Sequence, residues 1–156
     1  MSTANLSAIA LPLAWVTAIS PHWLAAYLTF NDKDLKPFDN RCPREYVASV
    51  RALEKQTPVV KKYLRAEAAQ QNGFENLPIF IATVVAANAA RLPAPLINKF
   101  ITVYLASRVV YNLLYIQTTR QKYTGIRSVV YVGGIATCSY IMYRAAQVWA
   151  KLPAFA

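Results

Sequence analysis

The stretch Arg65-Ala66-Glu67-Ala68-Ala69-Gln70-Gln71-Asn72-Gly73-Phe74-Glu75-Asn76-Leu77-Pro78 runs unbroken into the apolar segment Ile79 to Ala90. No other feature limits the folds open to this chain so strongly. Steps of three, four, three and four residues put Arg65, Ala68, Asn72, Glu75 and Ile79 on one face of an α-helix. A cation, an amide and a carboxylate thus share a stripe that leads into sequence suited to hydrocarbon. Inside a membrane such groups must face protein, water or ligand rather than lipid, which makes the stripe a candidate site.

Composition places that helix in lipid. Of 156 residues, 56% are hydrophobic and only 15% charged, against about 25% charged in soluble domains. Four segments, about 6–30, 58–90, 96–118 and 126–149, each reach the roughly 20 residues that cross a hydrocarbon core. The expectation is one all-α domain over residues 1–156. It is an integral membrane four-helix bundle, polar in parts of its interior, with a cytoplasmic loop at 31–57. The N-terminus lacks the basic region of a cleavable signal, so the first segment reads as a retained transmembrane helix.

The net charge is +10, but the basic residues do not form a tract interleaved with aromatics, which argues against a nucleic-acid partner. Lys33, Lys36, Arg41, Arg44, Arg51, Lys55, Lys61 and Lys62 lie between the first two apolar segments, and Arg120, Lys122 and Arg127 between the last two. The middle connection offers only Arg91 and Lys99. By the positive-inside rule the first and third connections are cytoplasmic and both termini lumenal. Cys42 and Cys138 are too few for a disulfide framework and lack metal-ligand spacing. His22, beside Pro21 in the first helix, has no acidic or thiol neighbour in sequence and is a weak catalytic candidate.

Local signals set the helix starts. Pro43 opens a short helix reaching about Lys55. Thr57 is a good N-cap with Pro58 at the first helical position. The helix from Pro58 to about Ala90 would be roughly 50 Å long, more than a bilayer core needs, so its first turns project into the cytoplasmic interface. Pro78 marks an expected kink. Leu92-Pro93-Ala94-Pro95 is a lumenal turn. On the third long helix Arg108, Tyr111 and Tyr115 again follow three-then-four spacing. A buried arginine calls for an acid, and Glu75 is the expected partner of Arg108. Gly133 and Gly134 allow close helix approach in the fourth. Arg127, Ser128 and Tyr131 stand in its first turns, where free N–H groups and the helix dipole favour an anion or a thiolate.

These pieces, in this order, resemble the MAPEG family, the membrane-associated proteins in eicosanoid and glutathione metabolism. The family's pattern Arg-Ala-(His or Gln)-x-Asn-x-x-Glu-x-x-Pro is similar to the run from Ala69 to Pro78, with Gln70, Asn72, Glu75 and Pro78 in register. Its Arg-x-x-(His or Tyr)-x-x-x-Tyr pattern resembles Arg108, Tyr111 and Tyr115. Ile126-Arg127-Ser128-Val129-Val130-Tyr131 resembles the start of the last helix in microsomal prostaglandin E synthase. The likeness covers about Arg65 to Tyr131. One position departs from it: Ala68 stands where family members commonly carry an arginine, and Arg120 and Lys122 are the candidates to supply that cation.

The resemblance implies a homotrimer in the endoplasmic reticulum or another intracellular membrane, with glutathione held between helices of neighbouring subunits near the cytoplasmic face. It implies a microsomal glutathione transferase-like enzyme, with peroxidase or isomerase chemistry also open, acting on a hydrophobic small molecule or lipid. Arg127 and Ser128 take the catalytic positions. Arg65, Asn72, Glu75, Arg108, Tyr111, Tyr115 and Tyr131 line the tripeptide's surface. A non-catalytic lipid-presenting protein and a membrane isomerase or cyclase of the same fold are the alternatives. No metal is expected.

Overall fold

The computed structural model describes residues 4–151. It contains four long helices, α1 (Ser7–Asn31), α3 (Pro58–Ala89), α4 (Ala94–Gln117) and α5 (Thr124–Trp149), and one short helix, α2 (Pro43–Arg51). A single 3₁₀ turn, Gln121–Tyr123, precedes α5. The short helix is shorter than the sequence suggests and stops at Arg51, where Leu53 turns back on Val50 and the Gln56 amide bonds the Leu53 carbonyl. Thr57 caps α3 by accepting from the Val60 N–H at 3.4 Å, with Pro58 just behind it. The helical assignment then passes through Pro78 without a break.

Among the described residues, two segments are long and apolar enough to cross a membrane, Ser7–Asn31 and Gln121–Trp149. The middle helices α3 and α4 fall outside that class, carrying Glu75, Asn76 and Asn88, and Arg108 and Asn112, within their apolar stretches. The outer faces of α1 and α5 expose Trp15, Trp23, Tyr27 and Phe30, and Val129, Val132 and Tyr143. An apolar surface of that extent is stable against lipid or another chain rather than water.

Small side chains set the tightest helix pairing. α1 buries Ala10, Ala14, Ala18, Pro21 and Ala25, spaced by three or four residues, and packs most extensively on α3. There Gly73 lets the backbones meet: a Cβ at that position would sit 3.0 Å from the Ala18 Cα. This is the small-residue contact that membrane helices use where burying apolar surface yields little. The α3–α4 turn closes with paired backbone bonds, Arg91 N–H to the Asn88 carbonyl and Leu92 N–H to the Ala87 carbonyl, with Arg91 at φ 52°. That is a Schellman close made without the usual glycine, with Leu92 buried beneath it.

The interior is layered. Toward the α3–α4 turn, Phe80 stacks on Tyr104 with ring centroids 4.4 Å apart, among Phe100, Ile97, Ile141 and Cys138. At the opposite end Tyr46, Val50, Val60, Tyr63 and Ile116 form a second apolar cluster. Between them lies a polar belt. Its members include Asn112, whose side chain donates to the Thr17 carbonyl of α1 at 2.9 Å, and Arg108 of α4, only 6% exposed.

Gly134 makes room for that arginine, since a Cβ there would fall 2.3 Å from the Arg108 guanidinium, whereas a Cβ at Gly133 would meet nothing within 4 Å. The two adjacent glycines therefore differ. Gly134→Ala is expected to lower the melting temperature in detergent, with an overpacking cost of about 1–3 kcal/mol. Gly133→Ala should leave it unchanged or raise it slightly; equal losses in both would contradict the packing described.

Candidate functional site

The polar residues singled out by helical spacing fall into two groups. The first gathers where α4 meets α5 and the N-terminal half of α3. Arg108 lies among three tyrosine rings, with its guanidinium carbon 5.3 Å from the Tyr104 and Tyr111 centroids and 5.4 Å from that of Tyr131. It donates from Nη2 to the Tyr131 carbonyl at 3.2 Å and the Val130 carbonyl at 3.4 Å. Tyr111 in turn packs on both Tyr115 and Tyr131, with centroids 5.6 and 5.9 Å apart.

The expected Arg108–Glu75 pair does not form. Ring faces and helix carbonyls, which are partial negative charges already inside the bundle, replace the acid as partners of the buried cation. Its Nε is buried without a hydrogen-bond partner among the described residues. Arg108 also lines, with Thr17, Asn112 and mostly apolar neighbours, a small pocket of about 10 Å³, room for about one water.

Arg127 stands one helical turn before Tyr131 on α5 and lies over the Tyr115 ring, guanidinium carbon to centroid 4.3 Å. It is half-buried, and among the described residues its guanidinium makes no hydrogen bond or ion pair. Ser128 beside it is exposed. Arg65 approaches the same place from α3, donating from Nε to the Ile116 carbonyl at 2.7 Å. Six predicted site residues, Arg65, Arg108, Tyr111, Tyr115, Arg127 and Tyr131, are thus brought together by direct contact or a shared neighbour.

The second group lies farther along α3. Glu75 is exposed and accepts from the Gln71 amide at 3.0 Å. It lines a cavity of about 720 Å³ between α3, α1 and the segment carrying α2. Asn72 turns back on its own helix, bonding the Ala68 carbonyl at 2.8 Å. Along α3, ten residues separate Arg65 from Glu75, about 15 Å of axis at 1.5 Å per residue. Asn72 and Glu75 therefore do not join the arginine and tyrosine cluster within one chain.

The structure adds a pair that the sequence reading passed over. His22 Nδ1 of α1 lies 2.8 Å from Glu67 Oε1 of α3, the side chains 27% and 13% exposed, and both open onto the same cavity. The chain neighbours of His22 include no acid, and its partner lies 45 residues away. Their shared helix depth, given antiparallel packing of the first two long helices, was the available signal. Among the described residues no group of three or more metal-ligating side chains occurs.

Comparison with known proteins identifies the family. No curated protein and no solved structure matches the chain. A model of the MAPEG family matches residues 6–147, which takes in α1, α3, α4 and all but the last two residues of α5, with the tyrosine cluster and the cavity. The chain belongs to the MAPEG family, a membrane-associated family whose members commonly use glutathione.

Proposed function

We propose that the protein is a membrane-bound glutathione-dependent transferase acting on a hydrophobic electrophile that reaches it through the bilayer. One observation carries the reading. Arg127 lies over the Tyr115 ring near the start of α5, yet among the described residues its guanidinium makes no hydrogen bond or ion pair. Its position is fixed and its charge is available. The glutathione thiol is mostly protonated at neutral pH, and only its thiolate is a competent nucleophile. A preset guanidinium, together with the uncapped N-terminus of α5, stabilises that charge without reorganising. Ser128, the next residue, supplies a hydroxyl donor to the same sulfur.

In this reading the thiolate attacks the electrophilic carbon, a carbon–sulfur bond forms, and the leaving group departs with the bonding pair. Peroxidase and isomerase reactions would start from the same thiolate. Arg108 acts through others: it fixes the tyrosine cluster and the carbonyls of α5 from Val130 to Tyr131, which sets the angle at which Arg127 meets the ligand. Because Asn72 and Glu75 stand farther along α3, outside the arginine and tyrosine cluster of one chain, the tripeptide bridges two copies. Its backbone rests on Asn72 and Glu75 of one subunit and its sulfur meets Arg127 of the next, in a homotrimer covering part of the apolar surface of α1 and α5.

Arg127→Ala should abolish the ultraviolet thiolate absorbance that appears on adding glutathione, and slow conjugation of an aryl halide about 100-fold. Ser128→Ala should slow it about fivefold, the worth of one hydrogen bond. Unchanged absorbance and rate in Arg127→Ala would remove that residue from the mechanism.

A further inference from the structure

The 720 Å³ cavity has a cationic wall that the site residues do not explain. α2 is docked by Tyr46 and Val50, four residues apart and buried beside Val60 and Tyr63. Rings in edge contact lead from His22 to Phe38, from Phe38 to Tyr46, and from Tyr46 to Tyr63, with centroids 5.7, 5.4 and 5.9 Å apart. The Tyr46 hydroxyl donates to the Lys36 carbonyl, and burial holds its phenol above the usual tyrosine range, so it stays a donor. A nine-residue helix in a loop is thereby fixed in rotation as well as place.

The face it turns to the cavity reads Arg44, Val47, Arg51, at steps of three and four. Neither arginine makes an ion pair or hydrogen bond through its guanidinium among the described residues; of the acids nearest in sequence, Glu45 lines a different pocket and Glu54, three residues after Arg51, pairs with neither. Opposite them on α3 stand Ala68, whose methyl group leaves the space open, and Glu75, with one carboxylate oxygen engaged by Gln71. Glu67 is already occupied by His22. The open charges of the cavity are therefore two guanidinium groups on one wall and one carboxylate on the other.

That pattern is the complement of a zwitterionic amino-acid group, with its carboxylate toward the fork of an arginine and its ammonium toward Glu75. Arginine suits the former because its planar donors match a carboxylate in pairs. We propose that Arg44 and Arg51 bind the carboxylate of the ligand's amino-acid end, doing from α2 what a cation at position 68 would do from α3. This rests on the glutathione reading above, and it makes α2 part of the binding site rather than a solvated loop that only orients the chain in the membrane.

Glutathione binding by isothermal titration to the purified protein in detergent tests it. Arg44→Gln and Arg51→Gln should each raise Kd about tenfold, as expected for a charged hydrogen bond, and the double variant more. Lysine at both positions should recover part of the loss, and adding Ala68→Arg to the double glutamine variant should recover most of it. Arg41→Gln is the control: that guanidinium is exposed and already held by Asp39 at 3.0 Å, so its removal should leave Kd unchanged. Wild-type binding with an unaltered double variant would overturn the proposal. So would an equal loss in Arg41→Gln, or a double variant impaired only in binding phosphatidylserine vesicles, which would make the arginines headgroup contacts. Failure of the wild type to bind glutathione would instead overturn the parent reading, and this one with it.

Discussion

Arg108 is a charge in the middle of a bundle with no acid beside it, and much of the architecture answers that one demand. Isolated in low dielectric, a guanidinium would cost far more than any single contact returns. Here three tyrosine faces and two carbonyls of α5 surround it, and Gly134 gives up its side chain to let it in. The cation thereby joins α4 to α5 and fixes the rotation of α5 about its axis. Because Arg127 lies one turn before Tyr131 on that helix, the same contacts decide where the proposed catalytic charge points.

The second constraint is the separation of the polar groups into two faces. α3 carries both, Arg65 toward α4 and Glu75 toward α1 and α2, with its buried alanines and Gly73 between helices. A helix that presents opposite charges on different sides is suited to contact two ligands, or one ligand shared with a neighbouring copy. The apolar exterior of α1 and α5 supports the latter, since lipid alone need not cover all of it. The aromatic series from His22 to Tyr63 does for α2 what the tyrosine cluster does for α5: it converts a connecting segment into a wall of defined orientation.

The sequence was informative where physical periodicity acts over one helix. Thr57 and Pro58 mark the start of α3 because capping is local, and three-then-four spacing aligned Arg108 with Tyr111 because that is helical geometry. It was less informative wherever a partner comes from another element. Glu75 was the natural acid for Arg108 by inventory, but carbonyls and rings are not visible as partners in a list of charges. His22 looked solitary until α1 packed against α3 and brought Glu67 beside it. Gly133 and Gly134 looked equivalent, and only the position of Arg108 distinguishes them. Ala68 signalled a missing cation, while Arg44 and Arg51 stood in a run of basic residues that positive-inside bias accounted for without them.

The central claim is that one chain carries two half-sites which a neighbouring copy completes around glutathione. A structure of the protein in lipid nanodiscs with glutathione bound tests it most directly. The account predicts the tripeptide between subunits, its sulfur within hydrogen-bond reach of Arg127 of one copy and its backbone against Glu75 of the next. A tripeptide enclosed by a single chain, or seated away from Arg127, would contradict it.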